Sequence, residues 1–367
     1  MAAPHNWRHK HLLITGMRLG TLFRVLARNG FHVDLGGLGR LSQLTVLGIL
    51  NSMFGFCESL VNGRKIRRAK IEHPPLFVLG HWRSGTTHLH NLLSCDENFA
   101  CPSTFQSCFP HHFILTRPAA GIFDHVAPST RPMDNMALAS HTPHEDEFGV
   151  SALSAVSPYM KVLFPVTETG GYSELDPDLI PPMALEDWKE ALILFLKKVT
   201  LSSPQRLVLK SPPHTARIRI LLDLFPKAQF VYIVRNPYMV YASSHKLATD
   251  AWTHSHLQIP APEDIDESIL SQYTQLLALY HRDRHLIPSG CLHEMEFEDL
   301  ERNPTGALQA MYDSLGLPGF EAFSERVSDY LKSIEGYEKN AFHLDEKTRA
   351  KVRRRWADTF ERHGYTV

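Results

Sequence analysis

A short apolar run that stops on a glycine constrains this chain more than any other stretch. Pro75-Leu76-Phe77-Val78-Leu79 leads into Gly80-His81-Trp82-Arg83-Ser84-Gly85-Thr86-Thr87, and a helix-like segment follows. A strand, a glycine-bounded loop and a helix in that order build the phosphate-binding unit of α/β nucleotide-binding proteins, G-x-x-x-x-G-K-[ST]. Gly80 and Gly85 stand at that spacing, but Thr86 replaces the lysine and the cation is Arg83, inside the loop. Loop N–H groups and a helix N-terminus still favour an anion. The glycines permit tight turning, Ser84, Thr86 and Thr87 carry hydroxyls, and Arg83 is a fixed cation with several donors. Such a loop is poorly built for β- and γ-phosphates with Mg²⁺ and suits a less highly charged group.

From Pro75 onward short apolar runs alternate with helical patterns, which argues for a parallel sheet with crossover helices on both faces, a three-layer α/β sandwich. Strands are expected at Leu76–Leu79, Leu207–Leu209, Phe230–Val234 and Leu292–Phe297. Helices are expected at Thr86–Ser94, Leu185–Val199, Thr215–Leu224, Met239–Leu247, Ile265–Leu286, Gly306–Leu315 and Arg349–Phe360. Residues 1–73 form a helical, amphipathic segment packing on a main domain at 74–367. Within it, Leu41 to Leu60 is the most apolar window, interrupted by Gln43, Asn51 and Glu58 and followed by Arg64, Lys65, Arg67 and Arg68. It reads as a packing helix or an interfacial membrane helix rather than a span. Pro102 to Pro182 is irregular and rich in Pro, His, Ser and Phe, as functional lids often are.

The 367 residues carry a net charge of −1, so no overall charge draws the chain to nucleic acid. Its 22 histidines are scattered, and its five cysteines include no C-x-x-C pair. Neither a metal site nor a disulfide framework is read, and a cytoplasmic setting fits. The first residues lack the apolar core of a signal peptide.

A second motif follows the run Phe230–Val234. Arg235-Asn236-Pro237 begins a helix, and Ser243 stands eight residues after Arg235. Arginine and hydroxyl converge there on a second anion at the carboxyl edge of the sheet, where ligands of open parallel sheets bind. Arg83-Ser84-Gly85-Thr86-Thr87 together with Arg235 and Ser243 resembles the sulfotransferases that use 3′-phosphoadenosine 5′-phosphosulfate. The resemblance runs from about Pro74 to the C-terminus. It implies that the first loop holds the 5′-phosphosulfate and the second motif the 3′-phosphate, with no metal required. Pro143-His144-Glu145-Asp146-Glu147-Phe148 is similar to the P-x-E-D-E-F segment of a bacterial-type branch. Arg131-Pro132-Met133-Asp134, the stretch Leu209 to Thr215, Phe297-Glu298-Asp299-Leu300 and Tyr337-Glu338-Lys339-Asn340 are similar to its other recurring segments. The glycine-rich C-terminal segment of the usual cytosolic enzymes is missing, and by analogy Lys339 and Asn340 take its part.

The implied reaction moves a sulfuryl group to a hydroxyl, work done mostly by positioning and charge stabilisation. Arg83 and Lys210 are expected to stabilise developing charge. The base is open: some branches carry a glutamate soon after the loop, but Cys101-Pro102-Ser103-Thr104 offers no carboxylate. Glu145 is the first candidate, then Glu147, then His112, His144 and His214. Equally, the three acids 145–147 form a helix-start charge cluster or an arginine-pairing knot. The acceptor belongs under the irregular segment, whose Phe105, Phe109, Phe113, Phe123, Phe148, Tyr159 and Phe164 suit a lipid-like, small-molecule or sugar-like alcohol. The competing readings are a phosphate-loop kinase or hydrolase, which needs the missing lysine, and a catalytically silent nucleotide-binding protein.

Overall fold

A computed structural model of the chain describes residues 14–127, 129–131, 133–167, 170–336 and 340–365. Five strands, β1 (Leu76–Leu79), β2 (Phe99–Ala100), β3 (Arg206–Lys210), β4 (Gln229–Val234) and β5 (Leu292–Glu296), form one sheet in the order β2-β3-β1-β4-β5. Every neighbouring pair is parallel, with Phe77 beside Leu209 on one side and Phe230 on the other. The strand order changes direction at β1, so the carboxyl ends of β1, β3 and β4 open onto one crevice.

Alternation along each strand makes the two flanking layers. Phe77, Leu79, Leu207, Leu209, Phe230 and Tyr232 point into a core with Trp188, Leu192 and Phe195 of the Pro182–Ser202 helix. Leu76, Val78, Val208, Val231 and Ile233 point the other way, onto Leu89 and Leu92 of the Thr86–Leu93 helix and Leu308 and Met311 of the Pro304–Leu315 helix. Burying one such side chain is worth about 1.5–3 kcal/mol, so both layers are held firmly on the sheet.

The expected strands are present, with β5 ending one residue early because Phe297 opens the Phe297–Arg302 helix. The two-residue β2 and the Phe320–Ser333 helix were not anticipated. Two expected helices are broken. Pro212 and Pro213 turn the start of one into the 3-10 segment Pro212–Ala216 before the helix Ile218–Leu224, and the other divides at Trp356 into Glu346–Arg355 and Ala357–His363. The Pro102–Pro182 stretch holds short helices, including Thr104–Cys108 with a Ser103/Gln106 capping box, and Asp146–Ser154. The N-terminal residues form the Leu19–Arg28 and Leu38–Arg68 helices, packed on the main body.

Candidate active site

The loop after β1 is shaped by backbone that few side chains tolerate. Gly80 and Gly85 lie at φ +148° and +99°, and Arg83 itself adopts a left-handed φ of 71°. A Cβ at Gly80 would stand 2.6 Å from the Ile233 carbonyl, and one at Gly85 would overlap the Phe297 ring. Thr215 fixes the loop's first residue: its Oγ1 accepts from the Gly80 N–H at 2.8 Å and donates to the Gly80 carbonyl at 3.2 Å. The Thr86–Leu93 helix starts at Gly85 with no side-chain cap, so its first N–H groups face the crevice.

The left-handed turn aims Arg83 across the sheet edge. Its Nε donates to Ser243 Oγ at 2.8 Å, and its Nη1 pairs with Asp134 Oδ2 at 2.8 Å. Asp134 also faces Arg131 at 3.3 Å. Burial pushes the Asp134 carboxyl up, but the two arginines outweigh it and hold it below its ordinary value. Arg235, just beyond β4, donates to the Arg83 carbonyl at 3.3 Å and lies 4.3 Å over the Phe297 ring. Arg83, Gly85, Thr86, Thr87, Arg235 and Ser243 all line one cavity of about 740 Å³, and Asn340 and Phe342 line it too. Asn340 Nδ2 donates to the Met133 carbonyl at 3.0 Å. Lys339 lies outside the described residues. Ser84 turns away: its Oγ donates to the His81 carbonyl at 2.8 Å, and its side chain closes the loop instead of entering the cavity.

A narrower cavity of about 90 Å³ meets the first at Arg83, Thr86 and Thr87. Glu145 and Lys210 stand in it, walled by apolar groups that include Phe123, Met133, Phe148 and Tyr159. Lys210 leaves the end of β3 to reach Glu145 Oε1 at 2.7 Å and Thr87 Oγ1 at 3.3 Å. The ammonium missing from the loop thus arrives from the next strand. Tyr159 donates its hydroxyl to Glu145 Oε2, and Trp82 Nε1 donates to the Tyr159 oxygen at 3.1 Å. Tyr159 is fixed by stacking on Phe148, with ring centroids 4.6 Å apart. Burial pushes the Glu145 carboxyl up, yet the Lys210 ammonium and the two hydrogen bonds outweigh it, so it is ionised. Burial lowers Lys210, with Glu145 opposing. Burial and the adjacent carboxylate keep the Tyr159 hydroxyl protonated.

The neighbouring acids turn the other way. Asp146 accepts from Ser211 Oγ at 3.1 Å and pairs with His214 Nε2 at 2.6 Å. Glu147 accepts from Arg217 at 2.7 Å, Ser157 at 2.6 Å and Trp188 at 3.3 Å. Glu147 and His214 are both fully buried and line neither cavity. As candidates for the base they are corrected by this geometry: helix register points them into the core, where each has a fixed partner. His112 lies against Asn51 at 3.0 Å and Thr116 at 2.9 Å, away from both cavities. His144 does line the narrow cavity. Asp134, Trp82 and Tyr159 were not singled out for the roles they take. The signal for Asp134 lay in the R-P-M-D segment, and the other two carried none beyond being aromatic.

A sequence model described as the Sulfotransferase family matches residues 74–322. The chain belongs to the sulfotransferase family. Over 353 residues it is 35% identical to proteins named omega-hydroxy-beta-dihydromenaquinone-9 sulfotransferase Stf3 from Mycobacterium bovis and Mycobacterium tuberculosis, covering 96% of this chain and 91% of theirs. In fold it is similar to sulfotransferase STF1 from Mycobacterium tuberculosis H37Rv, with a TM-score of 0.67 and 17% identity over 93% of this chain and 91% of that one. STF9 from Mycobacterium avium gives 0.64 and 17%, over 94% and 96%. This sulfotransferase is an enzyme that transfers sulfuryl groups, on the phosphate-loop sulfotransferase fold.

The enzyme's histidines give a pH prediction. Burial lowers His81, His112 and His144 to about 4 and His90 to about 3, so all are neutral in the folded protein. Between those values and the ordinary 6.5 the unfolded chain binds more protons, so stability falls as pH drops through that window. Thermal melts are expected to be highest above about pH 6.5 and to decline by pH 5. A midpoint unchanged down to pH 5 would contradict this reading.

Proposed function

We propose that this sulfotransferase moves the sulfuryl group of 3′-phosphoadenosine 5′-phosphosulfate onto a hydroxyl at the end of a lipid-like acceptor. The observation that carries the proposal is the shared wall. Arg83, Thr86 and Thr87 border both cavities, and Lys210 and Glu145 stand at the junction. A donor in the large cavity and a hydroxyl in the narrow one meet at one point. The residues suit the donor: the uncapped helix start, Arg83 and Lys210 match a phosphosulfate, and Arg235 with Ser243 matches a second phosphate beyond the end of the adjacent strand β4. We assign Gly85, Thr86, Thr87 and Asn340 to the same binding surface, with Gly80 shaping the loop beneath it, and extend it by analogy to Lys339.

Glu145 takes the proton of the acceptor hydroxyl as its oxygen attacks sulfur. The sulfur–oxygen bond to the 5′-phosphate breaks, and adenosine 3′,5′-bisphosphate leaves. Lys210, shared between Glu145 and the loop, moves its charge toward the bridging oxygen and frees the carboxylate as a base. Arg83 neutralises the sulfuryl oxygens. The left-handed backbone that aims it, sparsely populated for a residue with a Cβ, is paid for by the surrounding packing.

The apolar walls of the narrow cavity favour a hydrocarbon acceptor over a sugar. The relatives named for an ω-hydroxylated menaquinone point to the same class. With labelled donor, an ω-hydroxy polyprenyl compound in detergent micelles is expected to gain label, while short sugars are not. Transfer to sugars or phenols in preference to the polyprenyl alcohol would reverse the acceptor assignment.

A further inference from the structure

The Leu38–Arg68 helix is built inside out. Its inward positions carry Arg40, Asn51 and Glu58 with Gly48 and Gly55 between them, and among large apolar residues only Leu44 and Ile66 are buried. Its opposite face presents Val46, Ile49, Met53, Phe56, Leu60 and Val61, each more than half exposed. Water-soluble helices put the apolar stripe on the core. Here the polar stripe is the one that packs. Asn51 Nδ2 donates to the Thr15 and Met17 carbonyls at 2.8 and 3.0 Å. Glu58 accepts from the Ile114 and Leu115 N–H groups at 2.9 Å each and pairs with Lys198 at 2.5 Å. Gly48 lets the Leu19 backbone approach, at 3.2 Å from where a Cβ would stand.

The outward stripe ends in charge of one sign. At helical spacing, positions 46, 49, 50, 53, 56, 57, 60 and 61 are followed on the same face by Arg64, Arg67 and Arg68. Those three arginines and Lys65 are exposed, with Lys70 just beyond. From Leu35 to Lys70 the one carboxylate is Glu58, and it is buried. At the other end Leu35 is 88% exposed, near Ile259 at 70%.

We propose that this face docks on an anionic lipid bilayer, lying in the interface plane. The apolar stripe enters the acyl boundary, and the basic end meets acidic headgroups. The helix is long and apolar enough to cross a membrane, with a mean hydropathy of 1.6 in its most apolar window. Its Asn51 and Glu58 side, however, is bonded along its length to the body of the enzyme, so lipid reaches one side alone. A second copy fits the surface poorly, because a self-complementary contact would need carboxylates opposite Arg64, Arg67 and Arg68, and the stripe has none. The inner side of the helix is held by the stretch of chain that also walls the narrow cavity. Ile114 and Leu115 hold the helix, and Cys108 and Phe123 on either side of them in sequence line the cavity.

Vesicle sedimentation of the full chain tests the surface without reference to catalysis. Partition onto phosphatidylcholine vesicles containing phosphatidylglycerol is expected to exceed that onto phosphatidylcholine alone by about tenfold at low salt, and to weaken as salt rises. The double variant Phe56→Glu, Leu60→Glu should lose binding to both. The triple variant Arg64→Gln, Arg67→Gln, Arg68→Gln should lose the preference for phosphatidylglycerol. All these side chains are exposed, so circular dichroism and bisphosphate affinity should match the wild type. Equal partition of the wild type and the double variant would overturn the proposal. So would light scattering that shows a lipid-free dimer separated by Phe56→Glu, Leu60→Glu, which would give the face to a second copy.

Discussion

Glu145→Gln is expected to lower kcat by about 10²- to 10⁴-fold, the usual contribution of a positioned general base. Glutamine keeps the size of the side chain; its one amide oxygen can still accept from Lys210 while its NH2 donates to the Tyr159 oxygen, so the narrow cavity keeps its shape. What disappears is the ability to take a proton. Adenosine 3′,5′-bisphosphate should still bind within about threefold of wild type, because the loop and Arg235 are untouched. Since Lys210 and two hydrogen bonds hold the Glu145 carboxyl below its ordinary value, the free wild-type enzyme should keep its base ionised into mildly acid solution. Steady-state kinetics on both proteins, with single-turnover controls, checks this. A variant with kcat within about threefold of wild type would remove Glu145 from the chemistry and turn attention to His144, which lines the same cavity.

Two residues along, the same kind of substitution should act on stability and not on chemistry. Glu147→Ala leaves the Arg217 guanidinium buried without its carboxylate and strands the Ser157 and Trp188 donors. Breaking a buried pair on one side costs about 3–5 kcal/mol. Arg217 still lies 4.2 Å over the Trp188 ring, which softens the loss without supplying an acceptor. Denaturant unfolding should show the drop, while the folded fraction keeps its bisphosphate affinity. An unchanged midpoint, or selective loss of turnover with full stability, would mean that Glu147 does not hold the core together.

The contrast between these acids marks where sequence reasoning stops. Phosphate loop and R-x7-S motif were legible because each sits at a strand end and a helix start, and local punctuation places such residues without knowledge of distant contacts. Short apolar runs alternating with helical patterns likewise made the parallel sheet readable. Three acids in a row carry no such information. Their directions depend on where the Asp146–Ser154 helix begins: Glu145 stands outside it, facing Lys210, while Asp146 and Glu147 turn inward. The partners that settle this, Lys210, His214 and Arg217, lie 65, 68 and 70 residues away. Ser243 shows the same limit. Its place on the second motif was readable, but its bond to Arg83 spans 160 residues and depends on the left-handed turn at Arg83. The outward apolar face of the Leu38–Arg68 helix was hidden for a related reason. A window average records that the segment is apolar, not that Asn51 and Glu58 claim the inner side.

On the proposed function, the large cavity holds a nucleotide with two separated anionic groups. Calorimetric titration with adenosine 3′,5′-bisphosphate, on wild type and on Arg235→Ala, tests it most directly. Binding in the micromolar range is predicted for the wild type, weakened about 10- to 100-fold by the loss of one charge-assisted contact. No binding by the wild type, or tighter binding of ATP with Mg²⁺, would contradict the assignment and return the altered loop to a different anion.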